Sequence, residues 1–123
     1  MARQLNFQSE KVSRILELAE SYIRRGWCKG HFAVDEKGLA TDPLGPRAVA
    51  WDLMGAVWRA VHETETSFEI LDEVIDRLLE ATEHQRLVEW NDEQESVEAV
   101  LGVLKKAWRV THELQGNLGI SKD

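Results

Sequence analysis

The stretch AVAWDLMGAVWRAV, residues 48–61, is apolar around most of a helical circumference and allows few folds. Ala48, Trp51, Gly55, Trp58 and His62 recur at three- and four-residue spacing, and Val49, Leu53, Met54, Val57 and Val61 widen the stripe. A helix apolar over so much of its surface belongs at the centre of a helical domain. Gly55 inside it costs about 1 kcal/mol against alanine. Its return is space, letting a neighbouring backbone or ring come close between Trp51 and Trp58. Pro46 suits a first helical turn, where its missing amide proton is harmless, so this helix is predicted over about residues 46–62.

Three further helices follow from the same periodicity. Ser9 is a candidate cap for a helix over about 10–26, in which Val12, Ile15, Leu16, Ala19, Tyr22, Ile23 and Trp27 share a face. Arg24 and Arg25 near its end complement the helix dipole. Thr66 and Glu69 have capping-box spacing ahead of a helix over about 67–84, and Asn91 or Asp92 is placed to cap the last, over about 92–115. Between the first two helices, HFAVDEKGLAT switches to alternating apolar residues around the polar DEKG turn. Either a small β-hairpin or an ordered loop over 28–43 fits, with Phe32 and Val34 as anchors and Gly38 free to take positive φ. The fold class is therefore all-α, or mainly α: one four-helix domain over 1–123 carrying a hairpin or loop between helices 1 and 2. That first connection is about 20 residues, longer than an ordinary bundle loop, and long loops often carry function.

Charge and cysteine content exclude several classes of partner. Twenty-two acids against 15 Lys and Arg give a net charge of -7, and the basic residues form only pairs, so a phosphate backbone finds no cationic surface. One cysteine forms no intrachain disulfide. No apolar run approaches the roughly 20 residues of a membrane span, and none at the N-terminus reads as a signal. A cytoplasmic location is expected.

The candidate chemistry gathers in three places. Cys28 and His31 flank a turn after the first helix, but a helix C-terminus disfavours a thiolate, and two ligands do not complete a structural zinc site. Asp52 stands in the most apolar helix. Either it lies on a narrow polar face two turns before Arg59, or it is a pocket carboxylate paired with Arg47, His31 or the hairpin amides. Trp90-Asn91-Asp92 reads as a helix entry, or as an exposed recognition corner. A site between the 28–43 loop, Asp52 and that corner would draw on Cys28, His31, Asp42, Asp52, Trp90, Asn91 and Asp92. No phosphate loop, nucleophile elbow, zinc-protease or dinucleotide signature occurs, so no catalytic residue, cofactor or metal ligand is assigned.

Taken together, Gly26-Trp27, Ala50-Trp51-Asp52-Leu53-Met54-Gly55-Ala56 and Trp90-Asn91-Asp92 resemble the landmarks of a family of small uncharacterised helical proteins from bacteria and phages. The likeness spans most of residues 12–107. It departs at Asp52, where the family pattern carries cysteine, which argues against a shared cysteine chemistry there. The resemblance implies the helical segmentation and a bacterial or phage setting, and brings no activity with it. The expected function is a non-enzymatic interaction or accessory protein, acting on a protein partner or by self-association as a homodimer. The alternative is a small-molecule-binding protein or hydrolase using the site around Asp52. Mimicry of nucleic acid by the acidic helices is a third reading, which Arg77, Arg86, Lys105 and Lys106 interrupt.

Overall fold

Among the described residues five helices, rather than four, enclose the core. The computed structural model describes residues 2–120, with side chains over 8–113. In chain order the elements are α1 (Ala2–Arg25), β1 (Ala33–Val34), β2 (Ala50–Trp51), α2 (Leu53–Glu63), α3 (Phe68–Thr82), α4 (Leu87–Glu93) and α5 (Val97–Ile120). α1 lies against α5 and α2, α3 covers α5 and α1, and short α4 bridges α2 and α3. The apolar face expected of α1, Val12, Ile15, Leu16, Ala19, Tyr22 and Ile23, is buried. It meets Leu53, Ala56, Val57 and Ala60 of α2, Val74 and Leu78 of α3, and Val100 and Leu104 of α5 in one cluster. Among the described residues no helix is long and apolar enough to cross a membrane.

The boundaries moved where side-chain caps or strand pairing overrode periodicity. α1 starts at Ala2, and Ser9 is a buried residue within it rather than its cap; no Gly or Pro interrupts residues 2–8. The cap of α3 is Ser67, whose hydroxyl accepts from Ile70 N, so Thr66 stands one residue too early. The second helix begins at Leu53, not near Pro46, which lies in a turn seven residues upstream. Residues 49–52 have other backbone partners: Val49 N donates to Val34 O, Trp51 N to Gly26 O and Asp52 N to Phe32 O. Those bonds hold the chain extended until Asp52.

A short antiparallel hairpin thus separates α1 from α2, with Ala33 opposite Trp51 and Val34 opposite Ala50. The DEKG turn forms as well: Val34 bridges Ala40, Gly38 takes φ 80°, and Asp35 Oδ1 accepts from the Lys37 and Leu39 amides. The anchor of this layer differs from expectation. Ala33 is the buried residue, whereas Phe32 is 40% exposed and leans on Trp58 with ring centroids 4.6 Å apart. Gly55 explains the choice, because a Cβ there would stand 2.0 Å from Phe32 O. The backbone at Phe32 comes so near the helix that no Cβ fits at position 55.

Gly55→Ala is therefore expected to lower stability by at least about 2 kcal/mol in urea unfolding, against the sign of helix propensity. Gly102, in α5, has open space around its would-be Cβ. Gly102→Ala is expected to gain about 0.5–1 kcal/mol in the same measurement.

Candidate functional site

The centre of the site is a carboxamide. Asn91, in α4, is fully buried, and both ends of its side chain are engaged. Its Oδ1 accepts from Trp27 Nε1 at 2.8 Å and from Leu53 N at 3.1 Å. Its Nδ2 donates to Cys28 O at 3.1 Å and to Asp92 Oδ1 at 3.2 Å. One residue thus joins the end of α1, the start of α2 and α4. The Leu53 amide is one of the first-turn donors that a helix leaves unpaired, so Asn91 also serves as a remote cap. Trp90-Asn91-Asp92 consequently lies inside a helix, not at the entry to the last one.

The loop after α1 folds onto this centre. Asp92 Oδ1 also accepts from Gly30 N at 2.9 Å, and Lys29 Nζ donates to Gln94 O at 2.6 Å. Cys28 N donates to Trp51 O, and the thiol donates to His31 O at 3.4 Å. Burial first, then the Asp52 and Asp92 charges, push the Cys28 thiol up to about 11. At neutral pH it is a protonated, weakly nucleophilic group.

Asp52 is the N-cap of α2, with extended backbone (φ -83°, ψ 177°) and Oδ1 accepting from Gly55 N at 2.6 Å. It stands on no polar helix face and, among the described residues, in no ion pair. Arg59 instead stands over the Tyr22 and Trp51 rings and donates to Pro43 O and Gly45 O, pinning the 43–45 turn. Asp52 is 0% exposed, and its Oδ2 has no hydrogen-bond partner among the described residues. Burial pushes its carboxyl up to about 6; the Gly55 amide opposes that shift and the Asp92 charge adds to it.

A cleft of about 260 Å³ opens at this point, between the hairpin and α4. Asp52 is the one acid lining it, with Phe32, Ala33, Ala40 and Val88 as apolar lining and Gly30, His31 and Thr41 beside them. The structure thus brings His31 and Asp52 to one cleft and ties Cys28, Asn91 and Asp92 together next to it. Asp42 lies elsewhere, exposed, with Oδ1 accepting from Leu44 N at the start of the 42–45 turn. Trp90 packs half-buried against the core, its carbonyl accepting from Gln94 Nε2. Among the described residues no three His, Cys, Asp or Glu side chains gather to hold a metal ion.

A second concavity escaped sequence reasoning. Leu44, Trp58, Val61, Phe68 and Leu71 line a groove of about 800 Å³, with His62, Glu63 and Glu65 also along it. Phe68 is 80% exposed there. The one signal for it in the sequence is an aromatic directly after the Ser67 cap.

Fold and site define a small helical domain with a hairpin laid over the start of its central helix and a carboxamide joining the parts. The chain belongs to a family of unknown function, DUF6197, whose model matches residues 8–110. No curated protein and no solved structure matches it.

Two outcomes check this geometry. Asn91→Leu keeps the volume but strands the Trp27 and Leu53 donors and the Cys28 carbonyl, and is expected to cost about 3 kcal/mol in urea unfolding. The folded Asp52 carboxyl holds its proton more tightly than the unfolded chain, whose ordinary value is 3.8. Its contribution to stability is full below about pH 4 and is lost as the pH rises through 6. Relative to Asp52→Asn, the wild type is expected to lose on the order of 3 kcal/mol between pH 4 and pH 7.5.

Proposed function

We propose that the protein is a non-enzymatic interaction or accessory protein of a bacterial or phage cytoplasm, acting through self-association along the groove between α2 and α3. The observation that carries this reading is Phe68, 80% exposed beside a groove lined by Leu44, Trp58, Val61 and Leu71. An aromatic ring left in water at the edge of an apolar concavity is the arrangement from which interface anchors are made. Knob and groove lie on one patch, and a two-fold contact needs such a self-complementary surface. The ring of one copy would enter the groove of the other.

Sedimentation over a concentration series is expected to show a reversible monomer–dimer equilibrium. Phe68→Ser is expected to weaken it by about tenfold or more. Because Phe68 is so exposed, the same change should move the unfolding free energy by no more than about 0.5 kcal/mol. A wild-type chain that stays monomeric at millimolar concentration would overturn self-association.

A second reading, a small-molecule-binding protein, is favoured by a different observation: the unpartnered Oδ2 of Asp52, a fully buried residue that lines the 260 Å³ cleft.

A further inference from the structure

A buried carboxylate oxygen without a donor is costly, since water that would solvate it has been removed and nothing has replaced it. In Asp52 the two oxygens have different fates. Oδ1 is turned into the first turn of α2, where it accepts from Gly55 N. Oδ2 has no hydrogen bond and belongs to the one acid that lines the cleft. Neither nearby arginine in the sequence serves it: Arg59 is engaged by the Pro43 and Gly45 carbonyls, and Arg47 is exposed and absent from the cleft lining. Asp92 lies close enough to act on Asp52 by its charge, so the local field is negative. Among the described residues that line the cleft, only His31 and Thr41 carry side-chain donors for an anion.

The shape limits what can answer that field. About 260 Å³ is small for a ligand site, which commonly runs from roughly 300 to 1,000 Å³. Phe32, Ala33, Ala40 and Val88 offer apolar contact around the single acid. We propose that this cleft binds a compact organic cation, an ammonium or amidinium head on a short apolar stem, the head donating to Asp52 Oδ2 and the stem lying against Phe32, Ala33 and Val88. The inference rests on the small-molecule reading and names its ligand class. A charge-assisted bond of this kind is stronger than a neutral one, and the cation offsets the field of Asp52 and Asp92 together. A metal ion does not fit as well, because the cleft presents one carboxylate and one imidazole, and Cys28 is committed to the His31 carbonyl.

Benzamidinium, benzamide and benzoate share one shape and differ in charge, and make a suitable probe set. Amide chemical shifts of the full chain would be followed by NMR during titration with each probe, at Gly30, Ala33, Gly55 and Val88. Benzamidinium is expected to shift these amides with an affinity at least tenfold above that of benzamide, and benzoate to leave them unmoved. Asp52→Asn keeps the N-cap, since asparagine caps as well as aspartate, and is expected to abolish that tenfold preference. Val88→Trp leaves the carboxylate in place and fills the cleft, so it is expected to abolish binding of benzamidinium. Benzamide binding as tightly as benzamidinium, or an unchanged preference in Asp52→Asn, overturns the cation while leaving the small-molecule reading standing. Preference for benzoate does the same. If none of the three probes moves these amides, both the cation and the small-molecule reading fall.

Discussion

Everything around the cleft depends on the side chain of Asn91. It is a neutral group with two donors and two acceptor sites, and in a fully buried position it meets two donors and two acceptors. The partners come from residues 27 and 28, from 53, and from 92, segments far apart in the chain. Such a group repays its burial only if every partner arrives together, so it favours one relative placement of α1, α2 and α4. An apolar residue of equal size would pack but would not choose among placements.

That placement then dictates the chemistry of Asp52. Holding Leu53 against Asn91, and Phe32 against Gly55, leaves a helix start deep inside the molecule. A helix start needs a cap, and an aspartate supplies one through Oδ1. The same burial removes water from Oδ2 and moves the proton affinity of the group toward neutrality. A residue chosen by the fold for capping thus brings an unpaired oxygen with it. The groove along Phe68 has a different origin. Ser67 caps α3, and the first residue after a cap lies at the end of the helix, where the core no longer reaches the ring.

How much of this was legible depends on the range of the interactions. The buried stripe Val12, Ile15, Leu16, Ala19, Tyr22, Ile23 was readable because its period is a property of the helix alone. The role of Gly55 was readable as a demand for space, although not which group fills it. The DEKG turn was readable from Gly38 and the small polar residues, which act within five positions of one another. The start of α2 was not: residues 48–52 suit a helix by composition, and backbone hydrogen bonds to Gly26, Cys28, Phe32 and Val34 hold them extended. Asn91 looked like a cap for the following residues because capping is the commonest local use of asparagine. Its actual partners are more than thirty positions away, apart from adjacent Asp92.

By itself the sequence determined the mainly α-helical class, the core-facing residues of α1, the site of the DEKG turn, and that no described helix is long and apolar enough to cross a membrane. These follow from spacing and charge, which act between neighbours in the chain. Tertiary structure alone decided that Ala33 rather than Phe32 is buried, that Asp52 caps α2 with one oxygen unpaired, and that His31, Asp52 and Val88 line a common cleft. Those outcomes rest on close approach between segments distant in sequence, where a single missing Cβ or one carboxamide determines which backbone atoms can meet.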